Sequence, residues 1–228
     1  MDFPILLFDL DQTLFDTDTN AQNALRKLAL PFNFAFNDQQ VAYWHRLQQI
    51  MWADFEQQKL TRETLINTRF ERYFAHYGIT VDGPTYERAF QQHFFAEHAL
   101  MPHAQDVLAR LKAAHYQLAV ISNGTRAKQD RQLADSHLDQ YFDQVFLSED
   151  LHASKPDRQF FTQVQAGWPQ AATTDYLVIG DSLSADIQGA NNAQLASVWY
   201  NPHQLSNTSH ATPTYQITTL PELIDLLK

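Results

Sequence analysis

Ile5-Leu6-Leu7-Phe8-Asp9-Leu10-Asp11-Gln12-Thr13 sets four consecutive apolar residues directly before two carboxylates that are one residue apart. A continuous apolar run of this length matches a short strand buried on both faces, as inside a parallel sheet, rather than the alternation of a half-exposed strand. On extended backbone the aspartates at i and i+2 point to the same side and converge on one small volume. Like charges held that close are relieved by a cation or a shared proton. Taken alone, the pair reads equally well as a surface turn with solvated carboxylates.

Outward from this stretch, four more short apolar runs follow: Leu118-Ala119-Val120-Ile121, Val145-Phe146-Leu147, Tyr176-Leu177-Val178-Ile179 and Ala196-Ser197-Val198-Trp199. Helical patterns over roughly 103–114, 126–135, 157–167 and 184–194 separate them. The alternation predicts an α/β fold, a doubly wound parallel sheet with helices on both faces. Ligands of such sheets bind beyond the carboxyl ends of the strands. The residues after each strand are therefore the informative ones.

Residues 17–101 have a different texture. Thr19 to Leu30, closed by Pro31, reads as a first helix; Asp38 to Lys59, with Asp38 as N-cap, carries Val41, Trp44, Leu47, Ile50, Met51 and Phe55 at helical spacing. A third helix opens at Thr61 and ends at Gly78, and Thr85 to His98 forms a fourth. The expected organisation is a sheet domain, 1–16 with 102–228, interrupted by an all-helical insert at 17–101.

At the strand ends the residue types are specific. After the second strand stand Ser122, Asn123 and Gly124, where a hydroxyl and backbone N–H groups at a helix start suit an anion, although the same triplet is also an ordinary turn. After the third comes Lys155-Pro156, a positive charge before a proline-initiated helix that in isolation reads as a solvated lysine. After the fourth come Gly180-Asp181 and then Asp186, otherwise an acidic cluster favoured by a helix N-terminus. A carboxylate pair, a hydroxyl, a lysine and a second carboxylate pair on one sheet edge, in that order, are poorly explained by coincidence.

These residues resemble the four motifs of the haloacid dehalogenase superfamily, in its phosphatase branch, and the match spans the sheet domain. The helical insert lies where members with a helical cap carry it. Within the branch the chain is similar to bacterial pyrimidine-type 5′-nucleotidases. This narrower likeness rests on Trp52-Ala53-Asp54, Arg69-Phe70-Glu71 and a tail with Trp199, Asn201, His203 and Pro213-Thr214-Tyr215. The resemblance implies a Rossmann-like core and a Mg²⁺-dependent phosphomonoesterase. Asp9 is the implied nucleophile, forming an aspartyl-phosphate, and Asp11 the implied acid/base. Ser122, the Asn123 N–H and Gly124 would hold phosphoryl oxygens, with Lys155 neutralising Asp9 and the transferring group. Magnesium would be held by Asp9, Asp181 and the carbonyl of Asp11, with Asp186 as a ligand or an orienting group. Trp44, Trp52 and Arg69 of the insert are candidate substrate contacts, or else packing residues. Asp11 favours phosphate esters over carbon–halogen chemistry. Gln12 stands where many relatives, sugar-phosphate mutases among them, carry glycine.

Composition narrows the partners. The net charge of −10 argues against polymeric nucleic acid or an anionic membrane surface. Residues 17–101 hold 8 basic and 9 acidic residues and the remainder 8 and 17, so the acidity belongs to the sheet domain and includes Asp9, Asp11, Asp181 and Asp186. The absence of cysteine excludes disulfides, thiolate nucleophiles and cysteine-ligated metals. The ten histidines lack zinc-ligand spacing. Met1-Asp2-Phe3-Pro4 carries no basic region, and no stretch approaches the roughly 20 apolar residues of a membrane span, so a cytoplasmic protein is expected. The expected ligand is a small phosphate monoester, most specifically a nucleoside 5′-monophosphate. The competing readings are a phosphatase or mutase for small sugar phosphates and, in another class, a phosphorylated signalling or binding module.

Overall fold

The structure, a computed structural model, describes residues 3–228. Met1 and Asp2, part of the segment in which no export signal is expected, lie outside them. The chain begins with β1 (Ile5–Phe8), followed by helices α1 (Thr17–Arg26), α2 (Asp38–Glu56), α3 (Arg62–Ala75) and α4 (Gly83–Phe94). Next come α5 (Ala104–Ala113), β2 (Gln117–Ser122), α6 (Arg126–Asp135), β3 (Gln144–Leu147), the single turn α7 (Ser148–Leu151) and α8 (Arg158–Gln165). The chain continues with β4 (Tyr176–Gly180), α9 (Gln188–Ala193), β5 (Ala196–Tyr200), β6 (Tyr215–Ile217) and α10 (Glu222–Leu226). Two compact units result, one of residues 17–97 and the other of the flanking segments.

The flanking unit is built on a six-stranded sheet in the order β3-β2-β1-β4-β5-β6, every pairing parallel. β1 lies at the middle, its Leu7 opposite Ala119 of β2 on one side and Val178 of β4 on the other. Alternate residues of β1 feed two cores. Leu6 and Phe8 join Val107, Leu108 and Leu111 of α5 and Leu223 near the C-terminus. Ile5 and Leu7 join Phe160, Phe161 and Val164 of α8 and Ala190 and Ala193 of α9. Burial on both faces is why these strands read as unbroken apolar runs, and each fully buried leucine or phenylalanine contributes roughly 1.5–3 kcal/mol.

Several details differ from the sequence expectation. The edge strand β6 was not anticipated: with three residues, only Ile217 of them buried, it lacks an apolar run. The expected helix at 184–194 is a π-helical turn, Leu183–Ile187, leading into α9. The second boundary of the insert falls at 97/98 rather than 101/102, because the returning chain pairs with the departing one. Phe15 bridges Leu100 antiparallel, Asp16 N–H donates to Ala99 O at 2.9 Å, and Met101 N–H donates to Leu14 O at 2.8 Å.

In the helical unit, α1 packs on α4, α4 on α3 and α3 on α2. Its core is largely aromatic, with Phe36, Trp44, Phe70, Tyr73, Phe74 and Phe90 almost fully buried. The cap of α2 is Asn37, not Asp38: its side chain accepts from Gln40 N–H at 3.0 Å and the Gln40 side chain accepts from Asn37 N–H at 2.8 Å. Both orphan amides are satisfied by this reciprocal pair. α1 ends at Arg26, ahead of Pro31, and α3 at Ala75, with Gly78 at φ +71° turning the chain away.

Among the described residues no helix is long and apolar enough to cross a membrane.

Candidate active site

The carboxyl ends of the central strands bring the charged residues of the sheet unit together. Asp9 follows β1 directly, and its N–H donates to Ile179 O at 2.9 Å, carrying the β1–β4 pairing one residue further. Lys155 lies between β3 and α8, buried to 2% exposure. Its ammonium spends all three donors on Asp9 Oδ1 at 2.6 Å, Asp186 Oδ1 at 2.7 Å and Ile121 O at 2.9 Å. The Asn123 side chain fixes this lysine's backbone from both sides, accepting from Lys155 N–H and donating to Lys155 O, each at 2.9 Å.

Asp186 sits in the π-helical turn, 1% exposed, with Oδ2 accepting from Ser182 N–H at 3.1 Å. Gly180 makes room for it, since a β-carbon there would fall 2.2 Å from Asp186 Oδ2. Asp181 is positioned from two directions. Its N–H donates to Thr13 Oγ1 at 3.1 Å, that hydroxyl donates back to its carboxylate at 3.4 Å, and Trp199 Nε1–H donates to its carbonyl at 2.9 Å.

Asp9, Asp181 and Asp186 offer carboxylate oxygens that all lie within 4.8 Å of one another. Burial pushes the Asp9 carboxyl up to about 7, and the negative charges of Asp186 and Asp11 add to the rise, more than Lys155 offsets. Lys155 is raised: burial alone would lower it, but the flanking Asp186 and Asp9 carboxylates prevail. Three convergent carboxylates, two of them bonded to one ammonium, with oxygen donors only, suit a hard divalent cation such as Mg²⁺.

Asp11 turns elsewhere. Its carboxylate meets Lys128 Nζ through Oδ1 at 2.5 Å and Gln129 Nε2 through Oδ2 at 3.2 Å, both from α6. The following residue, Gln12, has φ +60°. That left-handed conformation costs a side chain roughly 1–2 kcal/mol, which accounts for glycine as the common alternative there. Ser122 Oγ accepts from Gly124 N–H and Gln129 Nε2, each at 3.0 Å. With both acceptor positions taken, its O–H is the group left to donate. Gly124 is not at positive φ; a β-carbon would collide with Gln129 Nε2 at 2.2 Å, so the glycine admits that amide.

The sequence-derived residues thus separate into two groups. Asp9, Asp11, Ser122, Asn123, Gly124, Lys155, Asp181 and Asp186 are assembled at the strand ends as described above. Trp44 and Arg69 are instead buried inside the helical unit, at 1% and 6% exposure. The Arg69 guanidinium meets Glu87 through two contacts of 2.6 Å, donates to Gln48 Oε1 at 3.0 Å, and lies over the rings of Trp44 and Phe90 at 5.3 and 5.0 Å. Both are packing residues, which corrects their reading as ligand contacts. Trp52 is half-buried, edge-on to Phe55 at 5.7 Å. Sequence reasoning passed over Thr13, Lys128, Gln129 and Trp199 as site residues. For α6 a signal was present: Arg126–Asp135 contains one large apolar residue, Leu133, too little to face a sheet unless the inward face is polar.

Comparison with known proteins agrees with this fold. A family model described as haloacid dehalogenase-like hydrolase matches residues 6–200. The chain is 39% identical over 230 residues to pyrimidine 5′-nucleotidase PynA of Streptococcus pneumoniae, covering 100% of this chain and 96% of that protein. It is 28% identical over 224 residues to pyrimidine 5′-nucleotidase YjjG of Escherichia coli, covering 97% and 96%. Among solved structures, that of the putative HAD-hydrolase YfnB from Bacillus subtilis bound to magnesium has a TM-score of 0.92 at 32% identity, covering 100% of both chains. The chain belongs to the haloacid dehalogenase-like hydrolases.

Proposed function

We propose that this protein is a Mg²⁺-dependent phosphomonoesterase that hydrolyses nucleoside 5′-monophosphates through a phosphorylated Asp9. The observation that carries the reading is the convergence of Asp9, Asp181 and Asp186 carboxylates within 4.8 Å beside the buried Lys155. The pyrimidine 5′-nucleotidase relatives support the substrate class. Asp9, Asp181 and Asp186 would hold the cation, together with the Asp11 carbonyl. When bound, it supplies positive charge that offsets repulsion between a carboxylate nucleophile and a phosphate dianion.

In the first half-reaction an Asp9 carboxylate oxygen bonds to phosphorus as the bond to the nucleoside 5′ oxygen breaks, and Asp11 gives that oxygen its proton. In the second, water attacks the same phosphorus, Asp11 takes its proton, and phosphate leaves with the Asp9 carboxylate restored. The Ser122 hydroxyl holds the transferring group and the positive charge of Lys155 offsets its negative charge through both.

Phosphate release from a panel of nucleoside monophosphates and sugar phosphates with Mg²⁺ tests the reading. Pyrimidine nucleotides should be turned over, and Asp9→Asn should abolish release. No release from any substrate, or full activity in Asp9→Asn, overturns it, and a preference for hexose phosphates overturns the nucleotide assignment.

A further inference from the structure

Resting on the role just given to Asp11, we propose that Lys128 and Gln129 of α6 are positioning residues that seat the Asp11 carboxylate and lock it to Ser122. Each oxygen of Asp11 has its own donor, Lys128 on Oδ1 and Gln129 on Oδ2. The Gln129 amide nitrogen has two hydrogens and serves two partners, Asp11 and, at 3.0 Å, Ser122 Oγ. One planar amide therefore sets the spacing between the group that exchanges protons and the hydroxyl that holds the phosphoryl oxygens.

Two observations separate this from ordinary packing. Gln129 is fully buried, and its Oε1 makes no hydrogen bond among the described residues, a cost that a leucine or methionine in the same space would not incur. The backbone gives way to it as well: Gly124 lacks the β-carbon that would strike Nε2 at 2.2 Å. Lys128 is 8% exposed, so its ammonium is committed to this corner of the fold rather than to solvent.

Lys128→Met and Gln129→Met keep length and remove the donors. With a nucleotide substrate and Mg²⁺, each should lower kcat about tenfold or more, since misplacing a general acid/base forfeits much of its usual effect, with KM nearly unchanged. Lys128→Arg should restore most of the loss. The decisive arm places both methionine substitutions in an Asp11→Asn background and follows p-nitrophenyl phosphate, whose leaving group departs without a proton. There Lys128→Met should leave the rate unchanged, because the carboxylate it positions is gone, whereas Gln129→Met should keep only the smaller loss that comes from freeing Ser122 Oγ. A loss by Lys128→Met that persists in that background, a rise in KM alone in the parent background, or unchanged kcat there overturns the inference. Should either methionine variant fail to fold, Lys128→Leu and Gln129→Leu are read in the same way. Inactivity of the unsubstituted protein on every phosphate ester would instead overturn the proposed function.

Discussion

Gly180 and Asp186 stand so close that a β-carbon on the glycine would lie 2.2 Å from Oδ2 of the aspartate. Gly180→Ala therefore displaces Asp186, which is held to Lys155 at 2.7 Å and to Ser182 N–H at 3.1 Å. Overpacking of this kind costs roughly 1–3 kcal/mol and should lower the melting temperature. Turnover should fall about 100-fold, because a shift near 1 Å at a reacting centre has that effect. Wild-type turnover in the alanine variant would show the glycine to be incidental.

Lys155→Met leaves Asp9 and Asp186 buried without their shared ammonium. Removing one member of a buried charged set costs about 3–5 kcal/mol, to be read as a lower urea midpoint in chelator-treated protein. Adding Asp186→Asn to Lys155→Met should recover part of the loss, since fewer uncompensated charges remain. Equal midpoints for the single and double variants would contradict this.

Asp9 supplies a pH signature. Its carboxyl lies at about 7 in the fold against 3.8 for the unperturbed group, so the folded state binds this proton more tightly than the unfolded one. The stability gained is complete below pH 3.8 and is lost as pH rises through about 7. Asp9→Asn removes the titration. Denaturant unfolding of metal-free protein across that window should show the variant gaining on the parent as pH rises, and a constant difference would refute the assignment.

In the helical unit, Glu87→Ala should cost about 3–5 kcal/mol by stranding the Arg69 guanidinium among aromatic rings. Arg69→Met with Glu87→Leu should be far milder, because neither charge remains to be compensated. Urea unfolding of the single and double variants distinguishes a buried pair from an exposed one, for which both changes would be small.

The strands were legible because burial on both faces writes itself as an unbroken apolar run, as in Ile5–Phe8 and Tyr176–Gly180. Tyr215–Ile217 was not, being a three-residue edge with one inward residue. The site residues at strand tips could be read because order along the chain and parallel topology together fix which edge they share. Lys128 and Gln129 escaped because a polar residue on a helix declares its direction only through its neighbours, here the scarcity of apolar side chains in α6. Trp44 and Arg69 failed in the opposite sense: an apolar stripe at helical spacing is the same for a packed core and a ligand surface, and the Glu87 that engages Arg69 lies 18 residues away.

The antiparallel clasp between Phe15 and Leu100 makes residues 17–97, for the sheet unit, a long surface loop with its two ends already fastened. Loop closure costs grow only with the logarithm of length. Lengthening or shortening the intervening segment therefore adds little closure cost to the sheet unit, whose ends at the clasp are already fixed.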